Sequence, residues 1–362
     1  MPSGGSHRVV QTTRREPGTG DRPNDGNDHV MAWLATTKRG RFIRPGMFTR
    51  VSVPTPFAVG PVNAYVAGRT VVDPGPDSEE SWARLLDALE DMDLVPGDLE
   101  RVLVTHPHPD HFGLANRFVA DGASVVASPA AAEIMADWRG RLEYEQEFFL
   151  DFFERCGLAS ETATAITQLP DAFVSYAPDV ETDRQVTTGD EVTIDGGTIA
   201  VDEVMGHAPG EVVFGYANGR EDIALVGDNV LAEITPNPLL QPPAEPGGER
   251  PRILPAYNDS LERLAGEGYD RFLPGHRGEI EDPAGRIEEI LAEHEERSAT
   301  VRSLLDGPTT PAEIMQELFG DLPATEKFPG MSEAVGHLDV LEARGQVVRE
   351  ERGGLLVFER AA

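Results

Sequence analysis

The sequence predicts an α/β fold followed by a small C-terminal α+β domain. Two observations carry the first part. Short apolar β-type runs alternate with helix-period segments up to about residue 283, and several runs end in Gly/Pro-rich turns that carry a His or an Asp. A third observation carries the second part: residues 284–362 read as three helices and then a hairpin. The length of 362 residues suits about two domains at roughly 150 residues each. With 40% apolar residues the chain can build a core.

Residues 1–30 are rich in Gly, Pro, Ser, Thr, Asn and Asp and lack periodicity, which predicts a disordered tail. Residues 1–46 hold eight Lys or Arg and four Asp or Glu, a net of +4, so the rest carries −36. Pattern and charge both change at Met47. Residues 1–46 therefore read as a leader, with Met47 as a candidate true start beside Met1 and Met31. The basic stretch Lys38-Arg39-Gly40-Arg41 leaves a nucleic-acid arm as the competing reading.

From Met47 onward the elements follow in order. Strands are expected over residues 50–56, 63–67 and 69–73, broken by Gly and Pro. Trp82, Leu85, Leu86 and Leu89 give a helical period over 80–91. An apolar strand at 101–105, a helix at 114–121 and a strand at 124–128 come next. Residues 129–168 look helical and include Phe148, Phe149, Phe152 and Phe153. Strand signals return at 191–194, 198–205, 211–216, 222–226 and 271–273. A helix is expected from 284 to 305. Thr310-Pro311-Ala312-Glu313 has the form of a capping box and opens another through Leu318. A third helix spans 332–343, and strands at 347–349 and 355–358 join around Gly353-Gly354.

That last order is winged-helix-like, which suggests DNA. Yet the third helix carries Glu333, Asp339 and Glu342 with only Arg344 positive, the wrong sign for phosphates. Packing or a homodimer surface is the better reading. The whole chain, with 63 Asp or Glu against 31 Lys or Arg and a net charge of −32, argues in the same way against nucleic acid and anionic lipid. Its 29 Arg and two Lys fit a GC-rich genome or a halophilic cytoplasm, and both readings stand. A single cysteine, Cys156, excludes an internal disulfide framework and a Cys-rich zinc module. No apolar run reaches the roughly 18 residues of a membrane span, and the first thirty residues lack a signal-peptide core. A cytoplasmic protein is expected.

The chemistry concentrates in Thr105-His106-Pro107-His108-Pro109-Asp110-His111, directly after an apolar strand. In an extended segment His106 and His108 point to one side, while Asp110 and His111 come from the following turn. Imidazole nitrogens with a carboxylate oxygen suit borderline metals such as zinc. His207 in Gly206-His207-Ala208-Pro209-Gly210, Asp228 after Gly227, and His276 after Pro274-Gly275 each follow a strand as well. Alone each is an ordinary turn residue; together they make a site. His7, His29, His294 and His337 lack that context and read as structural or solvent residues.

These residues, in this order over about residues 47–283, resemble the metallo-β-lactamase superfamily, for which His-x-His-x-Asp-His is highly specific. The resemblance implies a four-layer αββα sandwich with the site at one edge of the two sheets. It implies that His106, His108 and His207 bind a first metal, that Asp110, His111 and His276 bind a second, and that Asp228 bridges both. Asp73, in Val71-Val72-Asp73-Pro74-Gly75, would brace the His loop without binding metal. Two positions depart from familiar members. Ala208 stands where a Thr is usual, removing a hydroxyl, and Arg277 follows His276 where small residues are frequent. Arg277 reads either as a receptor for a substrate carboxylate or phosphate or as a surface salt bridge.

What the resemblance implies for function is a hydrolase with two divalent ions, Zn2+ foremost and Fe or Mn as alternatives, sharing one bridging hydroxide. Asp110 would orient that hydroxide and later take its proton. A bridging Asp228 looks like glyoxalase II, other thioesterases and phosphodiesterases. True β-lactamases lack it, and diiron flavoproteins have Glu at the place of His108. The acidic winged-helix-like tail resembles the β-lactamase-like-protein-2 group, some of which cut single-stranded RNA. Acidity favours a small acyl thioester or ester, as in hydroxyacylglutathione hydrolases. A phosphodiesterase or endoribonuclease, a mononuclear iron sulfur dioxygenase and a non-catalytic metal-bound module are the alternatives. The aromatic stretch 144–153 reads as an acyl-pocket wall or as helix packing, with packing favoured by its i, i+3, i+4 spacing.

Overall fold

Period-two alternation of apolar side chains builds two sheets that face each other in the computed structural model, which describes residues 48–361. The leader, the basic stretch at Lys38–Arg41 and the alternative starts lie outside the described residues. The first sheet runs in the order β1 (Thr49–Val53), β2 (Val62–Ala67), β3 (Thr70–Val72), β4 (Arg101–Leu103), β5 (Ser124–Ala127) and β6 (Arg184–Gln185). Its β1–β3 are antiparallel and β3–β6 parallel. The second sheet holds β7 (Glu191–Ile194), β8 (Gly197–Glu203), β9 (Val212–Ala217), β10 (Asp222–Gly227) and β11 (Arg271–Pro274), with the parallel pair β10–β11 at one edge.

Alternation decides which core each side chain joins. Tyr65, Val72, Leu103 and Val126 meet Val201, Phe214, Leu225 and Leu273 between the sheets. Val71, Val102 and Val125, one residue out of step, point outward beneath α1 (Glu79–Asp91), α2 (Pro109–Phe112) and α3 (Ala115–Ala120). Val213, Ala224 and Phe272 face α7 (Ile253–Gly266) and α8 (Pro283–Leu304). The layers are therefore helix, sheet, sheet, helix, as expected.

A further apolar core joins α5 (Trp138–Arg155) and α6 (Ser160–Thr167) to α9 (Pro311–Phe319), α10 (Ala324–Ala343) and the hairpin β12 (Val347–Arg352), β13 (Leu355–Arg360). Phe149, Phe152 and Phe153 are buried there, with Phe149 and Phe153 against Phe328. These rings therefore follow the packing reading of stretch 144–153. Apart from half-buried Glu333, helix α10 is buried from Gly330 to Leu341, so this stretch presents no recognition face. Three of its acids are paired within the chain: Asp339 with Arg250 at 2.8 Å, Glu342 with Arg252 at 2.8 Å and Glu333 with Arg297 at 3.8 Å. Among the described residues no helix is long and apolar enough to cross a membrane.

Several elements differ from the sequence expectation. Residues 129–168 break into α4 (Pro129–Ala136), α5 and α6: Asp137 caps α5 through Gly140 N, and Gly157 at φ 95° follows its other end. Helix α10 starts eight residues earlier than expected and carries Pro329 inside. Helix α7, absent from the expectation, packs Ile253, Leu254, Tyr257, Leu261 and Leu264 onto the second sheet.

Candidate metal centre

Strand direction brings the chemistry to one edge. The segments after β3, β4, β8, β10 and β11 carry Asp73, His106–His111, His207, Asp228 and His276. Bonds between the sheets close that edge: Val212 N donates to Thr105 O at 2.9 Å, and Tyr65 Oη donates to Pro274 O at 2.8 Å. Two glycines permit the approach. Gly227 has φ 50°, and a Cβ there would lie 2.6 Å from Thr105 Oγ1. A Cβ on Gly275 would collide with Asp228 Oδ1 and lie 2.6 Å from His111 Cε1.

All seven residues singled out in the sequence come together. Ring nitrogens of His106, His108 and His207 lie within 4.8 Å of one another, as do ligand atoms of Asp110, His111 and His276. Asp228 lies between the groups. Its Oδ1 is 3.6 Å from His111 Nε2, and its Oδ2 is 3.7 Å from His207 Nε2 and 3.5 Å from His276 Nε2. Asp110 Oδ2 is 3.3 Å from His276 Nε2.

The outer partners fix which nitrogen faces inward. His276 Nδ1 donates to the Pro61 carbonyl at 2.9 Å, and His207 Nδ1 to the Asn237 carbonyl at 3.3 Å. His111 Nδ1 donates to Asp73 Oδ2 at 2.9 Å. Thr105 gives its hydroxyl hydrogen to Asp73 Oδ2 at 2.6 Å and accepts from His106 Nδ1 at 3.0 Å. Carbonyls and carboxylates only accept, so each of these imidazoles is protonated on Nδ1 and turns a lone pair on Nε2 toward the centre. The Nε2 atoms of His106, His111 and His276, and Asp228 Oδ1, are buried there without a hydrogen-bond partner. Orphaned acceptors beside buried carboxylates fit divalent cations. His108 meets His207 Nε2 through its Nδ1 at 3.1 Å and is half-buried, like His207.

Electrostatics agree with that reading for His106 and His108, whereas the carboxylates around His111 favour a proton on its Nε2, in the place a cation would take. Burial, reinforced by neighbouring imidazoles, holds His106 well below the usual imidazole range and His108 at about 3, so both stay neutral. Burial also depresses His111, but the Asp228, Asp73 and Asp110 carboxylates outweigh it and raise it.

Glu211, Asn229 and Asn63 support the centre without a sequence motif of their own. Glu211 is 2% exposed and accepts from His207 N at 2.9 Å and Asn229 Nδ2 at 3.1 Å; burial pushes its carboxyl up to about 8. Its place at the end of the Gly-His-Ala-Pro-Gly turn was the available clue. Arg277 is exposed at φ 68°, and its side chain makes no ion pair among the described residues. Its carbonyl accepts from Asn63 Nδ2 at 3.0 Å. Cys156 is buried in the α5–α10 core, where burial pushes its thiol up to about 12.

Comparison with known proteins agrees with the geometry. A family model described as Metallo-beta-lactamase superfamily matches residues 58–276. The probable metallo-hydrolase YqjP of Bacillus subtilis (strain 168) is 31% identical over 315 residues, which is 85% of this chain and 96% of that protein. A metallo-beta-lactamase family protein from Thermus thermophilus superposes with a TM-score of 0.71 at 26% identity, covering 86% of this chain and 98% of its own. A beta-lactamase domain protein from Burkholderia ambifaria gives a TM-score of 0.70 at 27% identity, over 87% and 91% of the two chains.

Proposed function

The chain belongs to the metallo-β-lactamase superfamily, and from that membership we propose a binuclear metallo-hydrolase acting on a small acyl thioester or ester. The observation that carries the binuclear reading is Asp228, whose two oxygens face both histidine groups from 3.5 to 3.7 Å. His106, His108 and His207 would hold one ion, Asp110, His111 and His276 the other, and Asp228 would serve both. Two divalent ions, with zinc favoured by the imidazole-rich donor set, would supply an activated water and an electrophile for the substrate oxygen.

The protein's own groups then do the rest. Water adds its hydroxyl to the acyl carbon, and its proton passes to a carboxylate oxygen of Asp110 and on to the departing thiolate or alkoxide. Pro61, Asp73, Thr105 and Asn237 keep the imidazoles from turning. Phe57 and Phe173, half-buried with ring centroids 4.7 Å apart, provide an apolar surface for an acyl chain. Phe57 lies on the loop that ends at Pro61, and Phe173 on the turn packed against α2. Net charge supports an ester over a polyanion, since a phosphodiester strand would be repelled by a chain of −32.

The test is turnover of S-lactoyl thioesters, p-nitrophenyl esters and bis-p-nitrophenyl phosphate by zinc-loaded protein, at low and molar salt. Thioester or ester turnover at least tenfold above phosphodiester turnover is expected. The reverse order would replace this reading by a phosphodiesterase. A single bound iron with dioxygenase activity would replace it by the sulfur dioxygenase, and inert metal-loaded protein by the non-catalytic module.

A further inference from the structure

The His207 imidazole is oriented from outside the two-sheet sandwich. Its Nδ1 acceptor, the Asn237 carbonyl, lies in the segment between β10 and α7, which has no helix or strand over residues 231–252. A carbonyl in such a segment points consistently only if something else holds the chain. Helix α10 does so at three places. Asn237 Nδ2 donates to Pro329 O at 3.1 Å and to Glu333 Oε1 at 3.2 Å. Leu240 N donates to Ser332 Oγ at 3.1 Å. Gly336 lets the helix close in: a Cβ there would lie 3.1 Å from Leu254 Cβ and 3.8 Å from Pro238 Cγ. Glu333 is itself fixed, with Oε2 3.3 Å from His337 Nε2 and 3.8 Å from Arg297 Nη1. His337 is pinned in turn by Ser298 at 2.9 Å.

We propose that Asn237 and Glu333 are positioning residues for the metal centre, and that α10, besides its place in the C-terminal core, holds the ring of His207 through them. The inference rests on the reading of His207 as a metal ligand. It gives the C-terminal helices a role in metal retention that neither DNA binding nor dimer formation supplies. Neither residue touches the inner faces of the imidazoles; both act through the Asn237 carbonyl.

The test measures zinc affinity by chelator competition, and the melting temperature of the zinc-free full chain, in Asn237→Ala, Glu333→Gln and Glu333→Leu. Loss of an outer partner costs about 10–100-fold in metal affinity. That loss is expected for Asn237→Ala and Glu333→Leu, with the zinc-free melting temperature within about 5 °C of the parent. Glu333→Gln keeps an acceptor for the Asn237 amide and should stay within threefold. A parent chain that binds none of zinc, iron and manganese would overturn the metal reading itself. A parent that binds zinc, with either Asn237→Ala or Glu333→Leu binding equally well, would overturn only this inference. So would Glu333→Gln as weak as Glu333→Leu, or affinity lost in step with zinc-free stability, since both point to a merely structural contact.

Discussion

Asp73 accepts the Nδ1 hydrogen of His111 at 2.9 Å from a backbone held at φ 49°, and the same carboxylate accepts from Thr105 N at 2.8 Å. Aspartate is among the few residues other than glycine that tolerate this conformation. Asp73→Ala would take the acceptor from three buried donors, His111 Nδ1, Thr105 N and the Thr105 hydroxyl. Each such loss costs about 1–3 kcal/mol, and freeing the His111 ring should weaken metal binding about 10–100-fold. Asp73→Asn keeps an acceptor oxygen and should lose less on both counts. Denaturant melts and chelator competition measure the two effects. Parent-like zinc affinity in Asp73→Ala would remove Asp73 from the centre.

Gly227→Ala tests the close approach of β10 to the His loop. The new Cβ would sit 2.6 Å from Thr105 Oγ1 and 2.9 Å from Thr105 Cβ, at φ 50°. The left-handed backbone costs about 1–2 kcal/mol and the overlap about 1–3 kcal/mol more. Gly345→Ala, at φ 66° with open space around it, is the control for the backbone part alone. Equal losses in the two variants would mean that Thr105 moves aside freely.

The metal candidates were legible because the ligand types sit in short, unusual turns: three His and one Asp between His106 and His111, then His207, Asp228 and His276 after strands. Their supports were not. Pro61 and Asn237 act through backbone carbonyls, which any residue type provides, and the sequence separation from His276 to Pro61 is 215 residues. The period of α7 was present at Ile253, Leu254, Tyr257, Leu261 and Leu264, but Pro255 and the Gly/Pro-dense stretch before it masked the start. Pro329 hid the first turns of α10 in the same way. The acids on that helix read only as the wrong sign for phosphates, because their partners, Arg250, Arg252 and Arg297, lie far away in sequence.

Arg250 and Asp339 make the strongest of those pairs, with Nη2 2.8 Å from both carboxylate oxygens and side chains 10% and 2% exposed. The Arg250 guanidinium also lies 5.3 Å from the Phe152 ring centroid. Removing one partner of a buried pair strands the other charge and costs about 3–5 kcal/mol. Asp339→Ala is expected to lose that much in urea melts, and the parent pair should change little in molar salt because burial limits screening. A loss below about 1 kcal/mol would place the pair in the class of surface ion pairs.

His294 gives the fold a pH dependence separate from the metal centre. Burial, with His337 adding to it, holds its imidazole down at about 4. Its Nδ1 meets Asn258 Oδ1 at 2.8 Å, and its Nε2 is buried without a hydrogen-bond partner. Glu293 and Glu333 oppose the shift, and Arg297 reinforces it. An unfolded histidine titrates near 6.5, so between about pH 4 and 6.5 the unfolded chain binds more protons than the folded one. Stability therefore rises with pH across that window. The contribution is fully present above about 6.5 and is lost as pH falls through about 4, with an upper bound of about 3 kcal/mol. His294→Gln removes this titration and leaves the metal-site histidines in place. Urea melts of zinc-free protein from pH 7 to 4 should show a shallower decline for the variant, the difference approaching that bound. Parallel declines would show that His294 titrates as an exposed imidazole does.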